Sequence, residues 1–341
     1  MREDARQPDD PAPSSAPRPL PGPGVLARLR GGLKPVSRRS ALRLAAQGLG
    51  FAVGLGLLAW AVSLALSEKN RASLEMIWGG ERTMVLWLLV LSMVSVLLNG
   101  VMFWVVLRPL KTLHIVDVAL TNAIAAFLSV LPFKINLLTR LLIHHRRDGV
   151  SFKDILSWLG AMTALAFSVL VPVGLAGVWR GTMDALWWMT AVGGSVALGG
   201  LGVWLGHLAV RFKVLQVLSL GSDRIARHWP TVFSHMLLRW FDVALLCMRF
   251  LAAAQAAHVE LPLEKVVLLA TTYFLLSVFA PAGALGFREM GTAGVGVAAG
   301  AATEEVVLVT LVVTAVELVA SGLLCVPAFL RLRPDRLVRG R

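Results

Sequence analysis

LPFKINLLTR, residues 131–140, and FAPAGALGFRE, residues 279–289, decide how this chain is read. In each, a proline is followed seven or eight residues later by an arginine, Pro132 by Arg140 and Pro281 by Arg288, inside a hydrophobic region. Proline breaks the helical hydrogen-bond ladder and arginine carries a charge, and hydrocarbon solvates neither. The pair therefore predicts two broken helices that enter a membrane from opposite faces and meet near its midplane at an anionic site.

The composition requires a membrane. Of 341 residues 57% are hydrophobic, the mean hydropathy is +0.72, and several apolar runs exceed the roughly 18–20 residues that cross a bilayer. The net charge of +13 would suit nucleic acid, but the basic residues sit at the chain ends and in short loops between apolar runs. That is the positive-inside pattern, so no nucleic-acid partner is expected. Cys247 and Cys325 lie in apolar runs and form neither a disulfide framework nor a metal-ligand spacing.

Enzyme signals are poor. There is no nucleotide-binding glycine-rich loop, no nucleophile elbow and no HExxH. His144 and His145 are adjacent, so on a helix they diverge by about 100° and read as part of a basic loop. No catalytic residue, metal or cofactor is expected.

Residues 1–43 are rich in Pro, Ser, Asp and Arg and read as a disordered cytoplasmic tail. A secretory signal is the rival reading, but Leu44–Leu66 is long for its apolar core. The transmembrane domain covers 44–330, with full spans at about Leu44–Leu66, Met84–Leu107, Ile155–Val178, Ala185–Val210, Thr231–Ala257 and Val306–Leu330. A basic cytoplasmic tail follows at 331–341.

Between the second and third spans, Val118–Leu131 would reach only about 21 Å, too short for a core of about 30 Å. Pro132 interrupts it, and a second short helix runs through Arg140 to HHRRDG at 144–149. Basic residues flank both ends, so the segment is expected to enter and leave on one side. Val266–Ala280, the break PAGALG and Arg288–Ala301 form a second such pair, without basic flanks. The predicted fold is an all-α integral membrane protein of six full spans plus two re-entrant helical hairpins in an inverted repeat, about eight hydrophobic segments. The place is a bacterial inner membrane, with both termini cytoplasmic.

Each short helix after a proline begins inside the membrane, where free amides and the helix dipole favour an anion. Lys134 and Arg140 belong to one, Arg288 and Glu289 to the other, and Gly283 and Gly286 supply turn conformations. The alternative is that Lys134 and Arg140 snorkel to headgroups and Arg288 pairs with Glu289. Polar stripes at helical spacing mark three spans: Ser92, Ser95 and Asn99; His235, Arg239, Asp242 and Arg249; Thr310, Thr314, Glu317 and Ser321. Asp242 can reach Arg239, which leaves Arg249 for Glu317. Structural glue between helices and a hydrophilic headgroup groove both remain open at this point.

LPFKINLLTRLLIHHRRDGVS (131–151) and APAGALGFREMG (280–291) together resemble the flippase-like family that includes the transmembrane region of lysylphosphatidylglycerol synthases. The resemblance covers roughly 45–330 and implies functional weight on Pro132, Arg140, Pro281, Gly283, Gly286, Arg288 and Glu289. Asn136 and Ala284 stand where the family pattern implies glycine. What the resemblance implies is translocation of an anionic phospholipid or a polyprenyl-phosphate-linked headgroup, or partnership with an enzyme that makes such lipids. The alternative is a non-transporting scaffold for lipid or glycan biosynthesis. No counterpart of a soluble aminoacyltransferase domain is expected.

Overall fold

The computed structural model describes residues 38–333 except 72–73, 76–81, 130, 132–133 and 280–284. Pro132, Pro281 and Gly283 therefore lie outside the described residues, as do most of both expected tails. The chain divides into Met1–Ala45 and Ala46–Arg341, and the packing described below belongs to the second unit.

Every regular element among the described residues is helical. In chain order they are α1 (Arg38–Ala65), α2 (Arg82–Leu107), α3 (Ile115–Leu128) and α4 (Ile135–Leu142), which a wider π turn extends through Arg147. There follow α5 (Phe152–Arg180), α6 (Ala185–Arg211), α7 (Lys213–Leu218), α8 (Asp223–Ala226) and α9 (Trp229–Ala256). α10 (Leu263–Phe279), α11 (Phe287–Ala298) and α12 (Thr303–Leu332) complete the chain. The first helix begins six residues ahead of the expected Leu44, because Arg38, Arg39 and Arg43 are good helix formers and no breaker separates them from the apolar run.

Among the described residues five helices are long and apolar enough to cross a membrane: α1 over Gly48–Ala65, α2, α5, α6 and α12. α9 matches them with 28 residues but carries His235, Arg239, Asp242 and Arg249. All four are buried, so α9 turns its polar stripe into the bundle and away from lipid. The outward faces are largely apolar: Val178 and Leu330, each 71% exposed, belong to a broad belt of exposed Leu, Val, Phe and Trp. A belt that size on a water-soluble chain would aggregate, whereas in a bilayer it is solvated.

Two pairs of short helices fold back on themselves. In the first, Arg147 lies 3.0 Å from Asp117 and Arg140 donates to the Asn122 side chain. Lys111 Nζ donates to the carbonyls of Asp148 (2.6 Å) and Gly149 (2.9 Å). The arms α3 and α4 thus run antiparallel, with both open ends on one face. In the second, Lys265 Nζ donates to the Gly300 carbonyl (2.9 Å), Gly296 lies against Leu269, and Gly291 lies against Leu276. α10 and α11 are likewise antiparallel.

α12 relates the two hairpins. Arg331, at its end, lies 2.9 Å from Asp117 of the α3–α4 hairpin. Val306, near its start, packs on Gly296 of the α10–α11 hairpin. Thirty helical residues span about 45 Å, so the hairpins open at opposite ends of the bundle and their tips converge in its interior. α2, α9 and α12 pack together behind α3, and the seam between them holds the polar residues.

Candidate functional site

A cavity of about 590 Å³ lies where the two hairpin tips converge. The α3–α4 hairpin lines it with Ser129, Leu131, Lys134, Asn136, Leu137 and Arg140, and the α10–α11 hairpin with Tyr273, Ser277 and Arg288. Asp242 and Arg249 reach it from α9, Glu317 from α12, and Ser95, Asn99 and Phe103 from α2.

On the α10–α11 side the charges are bound to one another. Glu317 receives Arg249 Nη2 at 2.8 Å and the Tyr273 hydroxyl at 3.0 Å, and it lies 3.6 Å from Arg288. Arg288 also lies 3.3 Å from Glu289 and donates to Thr314 at 3.2 Å, and its guanidinium lies over the Tyr273 ring, 4.1 Å from the centroid. Thr314 in turn donates to Glu289 at 2.7 Å. Next to this cluster Asp242 accepts from Arg239 at 2.6 Å and from Ser95 at 2.9 Å. Ion pairs out of water survive only when further hydrogen bonds satisfy their remaining lone pairs, and Tyr273, Thr314 and Ser95 supply these.

The α3–α4 side is different. Arg140 packs 3.7 Å from the Phe103 ring centroid and donates to Asn122, whose own amide is held by the Val96 carbonyl at 2.7 Å. No carboxylate among the described residues pairs with Arg140, and its second terminal nitrogen is buried without a hydrogen-bond partner. Lys134 is exposed at the tip, also without a carboxylate partner among the described residues. Across the site five cationic side chains, Lys134, Arg140, Arg239, Arg249 and Arg288, face three carboxylates, Asp242, Glu289 and Glu317. The surplus of two sits on the α3–α4 side.

The starts of the two short helices differ. At the start of α11, Glu289 Oε2 accepts from the Gly286 amide at 2.6 Å. In α4, Asn136 Oδ1 accepts from the Leu137 amide at 2.8 Å. One amide at the start of α11 thus has a side-chain acceptor, whereas the Leu137 amide already bonds the Lys134 carbonyl at 2.9 Å and no side chain caps α4. Asn136 also does not supply the break, since it lies within α4. The left-handed residue is Lys134, with φ 51°.

Gly286, with φ 81°, adopts a conformation that glycine alone takes without strain. A Cβ there would run into the Gly54 carbonyl and the Leu58 amide of α1. Its role is to let α11 start against α1, away from the cavity.

Of the other polar residues singled out in the sequence, His235 is fully buried with neither ring nitrogen hydrogen-bonded. His144, read there as part of a basic loop, is buried: it bonds Asp148 at 2.7 Å and meets Trp158 edge-on at 4.9 Å. Tyr273, Asn122 and Phe103 escaped the sequence reading. Tyr273 is the chain's single tyrosine and Asn122 is an amide in an apolar run, so both were visible signals. Nothing in the sequence marks Phe103. No group of His, Cys, Asp or Glu among the described residues is arranged to hold a metal ion.

The family described as the lysylphosphatidylglycerol synthase TM region matches residues 47–325. The chain belongs to this family. No curated protein and no solved structure matches it. The match spans both hairpins and every side chain of the cavity, which ties this member of the lysylphosphatidylglycerol synthase TM region family to lipid metabolism or transport.

Proposed function

We propose that the chain translocates an anionic lipid, a phospholipid or a polyprenyl phosphate, across a bacterial inner membrane. In this reading α1, α2, α5, α6, α9 and α12 cross the bilayer, and the two hairpins are re-entrant elements of an inverted repeat. The face bearing Arg108, Lys111, Arg147 and Arg331 is cytoplasmic by the positive-inside rule, as are both termini.

One observation carries the reading: a cavity shared by both hairpin tips holds cations in excess of carboxylates, and the unmatched ones lie on one wall. Charge inside a bilayer is costly, and the missing counter-charge is the negative charge a lipid phosphate would bring. Arg140 and Lys134 receive the phosphate, while Arg249 and Arg288, shared with Glu317, form the wall it moves along. The reaction is transport rather than chemistry, so these residues bind and orient and none is a nucleophile.

The test is reconstitution into liposomes with a fluorescent anionic phospholipid. Wild-type protein is expected to move the lipid between leaflets. Loss of one charge-assisted contact, about 1.5–3 kcal/mol, should slow Arg140→Ala by roughly tenfold to a hundredfold. Absence of movement of any anionic lipid by wild-type protein would favour a scaffold for a lipid-synthesising enzyme.

A further inference from the structure

A second cavity, of about 310 Å³, lies in a groove between α5 and α6 and is closed at one end by α8 and the start of α9. Its walls are apolar apart from Ser168 and Ser222, and both hydroxyls are already committed to backbone carbonyls, Leu165 at 2.8 Å and Ser219 at 2.7 Å. The groove offers a ligand no free side-chain hydrogen-bond donor. Its occupant is hydrocarbon.

α5 alone separates this groove from the central cavity. Leu156, Gly160 and Thr163 line the cavity, and Ala164, Phe167 and Val171 line the groove. Gly160 and Ala164 are four residues apart, hence about 40° apart around the helix, and both are exposed. A Cβ placed on Gly160 would meet nothing within 4 Å, so the helix is lowest at the point where the two spaces approach each other. Leu137 of α4 and Leu156 of α5, both cavity-lining, are exposed as well, so the cavity opens sideways at this saddle. From Gly160 to Val171 the helix rises about 17 Å, a path along which an extended chain can lie.

We propose that the α5–α6 groove seats one hydrocarbon chain of the same lipid whose headgroup occupies the central cavity, the chain crossing α5 over Gly160 and Ala164. The proposal rests on the headgroup reading above and adds a tail site to it. Lipid chains are as apolar as the groove, so its filling brings no hydrophobic gain over the bilayer; it brings packing, and with it direction. The groove therefore selects chain length and holds the lipid in register with Arg140 and Lys134.

The test is photolabelling in liposomes with phosphatidylglycerol carrying a diazirine midway along one chain, alongside translocation of long-chain and short-chain fluorescent phosphatidylglycerol. Gly202→Phe fills the groove from α6, where a Cβ meets nothing within 4 Å, and Gly160→Leu raises the saddle. Label on the wild type is expected to concentrate on α5 and α6, to fall about fivefold in Gly202→Phe, and to fall in Gly160→Leu. Long-chain transport should slow in both variants, while short-chain transport persists in Gly202→Phe, which also reports that this variant folds.

Label scattered over all lipid-facing helices, or unmoved by Gly202→Phe, would overturn the tail site. The headgroup reading is then judged separately, by the sensitivity of transport to Arg140→Ala. A wild type that moves neither lipid sinks that reading and the tail site together.

Discussion

The two hairpins reach the same cavity in opposite electrostatic conditions. At the α10–α11 tip, Arg288 touches Glu289, Glu317, Thr314 and Tyr273, so its charge is spent inside the protein. At the α3–α4 tip, Arg140 has an amide oxygen and an aromatic face, and one of its nitrogens has no partner. The first arrangement makes structure and the second keeps a charge in reserve. Arginine in a membrane segment does not by itself mark a binding site; what marks it is arginine whose counter-charge is missing.

The largest expected effect tests the spent side. Glu317→Ala removes the carboxylate that Arg249 and Arg288 share and leaves Arg249 as an uncompensated buried charge. Removing one partner of a buried pair costs about 3–5 kcal/mol, so denaturation in detergent should show a loss of that size. Arg140→Ala is the control. It forgoes a cation–π contact and a hydrogen bond but also relieves an unmatched charge, so its stability should change by no more than about 1 kcal/mol while transport falls. Equal destabilisation by both variants would erase the distinction between the two tips.

Much of this was legible in the sequence. The spacing of Arg239, Asp242 and Arg249, and of Thr314 and Glu317, fixes which side of α9 and α12 is polar, and the structure turns both stripes inward, with Arg249 on Glu317. The two-helix segments were visible because they are too short to span and are interrupted. The fate of the start of α11 was not legible, because it depends on a local competition: Glu289 takes the Gly286 amide. Nor was the left-handed start of α4, since Lys134 is a residue type that seldom adopts that conformation. The imbalance of charge between the tips emerges only when side chains from α2, α3 and α4 are seen together.

A second, smaller effect tests how firmly the α11 tip is anchored. Gly286→Ala requires a left-handed φ from an L side chain and drives its Cβ into the α1 backbone at Gly54 and Leu58. Strain and overpacking of this kind cost about 1–3 kcal/mol, so the variant should melt earlier, and no substitution at Gly54 should rescue it because the obstacle is the Gly54 carbonyl. A melting temperature equal to that of the wild type would mean that the tip moves freely, contrary to a fixed structural side.

The smallest effect has the opposite sign and bears on the reserve side. Lys134 begins α4 in the left-handed region at φ 51°, where a side chain with a Cβ is disfavoured by roughly 1–2 kcal/mol relative to glycine. Lys134→Gly relieves that cost but gives the unfolded chain more freedom, so a net gain of only about 0.5 kcal/mol is expected. Transport should nevertheless fall, because one of the two unmatched cations is gone. A variant that is slightly more stable and slower is the signature of a residue held in strain for its charge. If Lys134→Gly were more stable and equally fast, the lysine would be dispensable and the reserve of charge at this tip would reduce to Arg140.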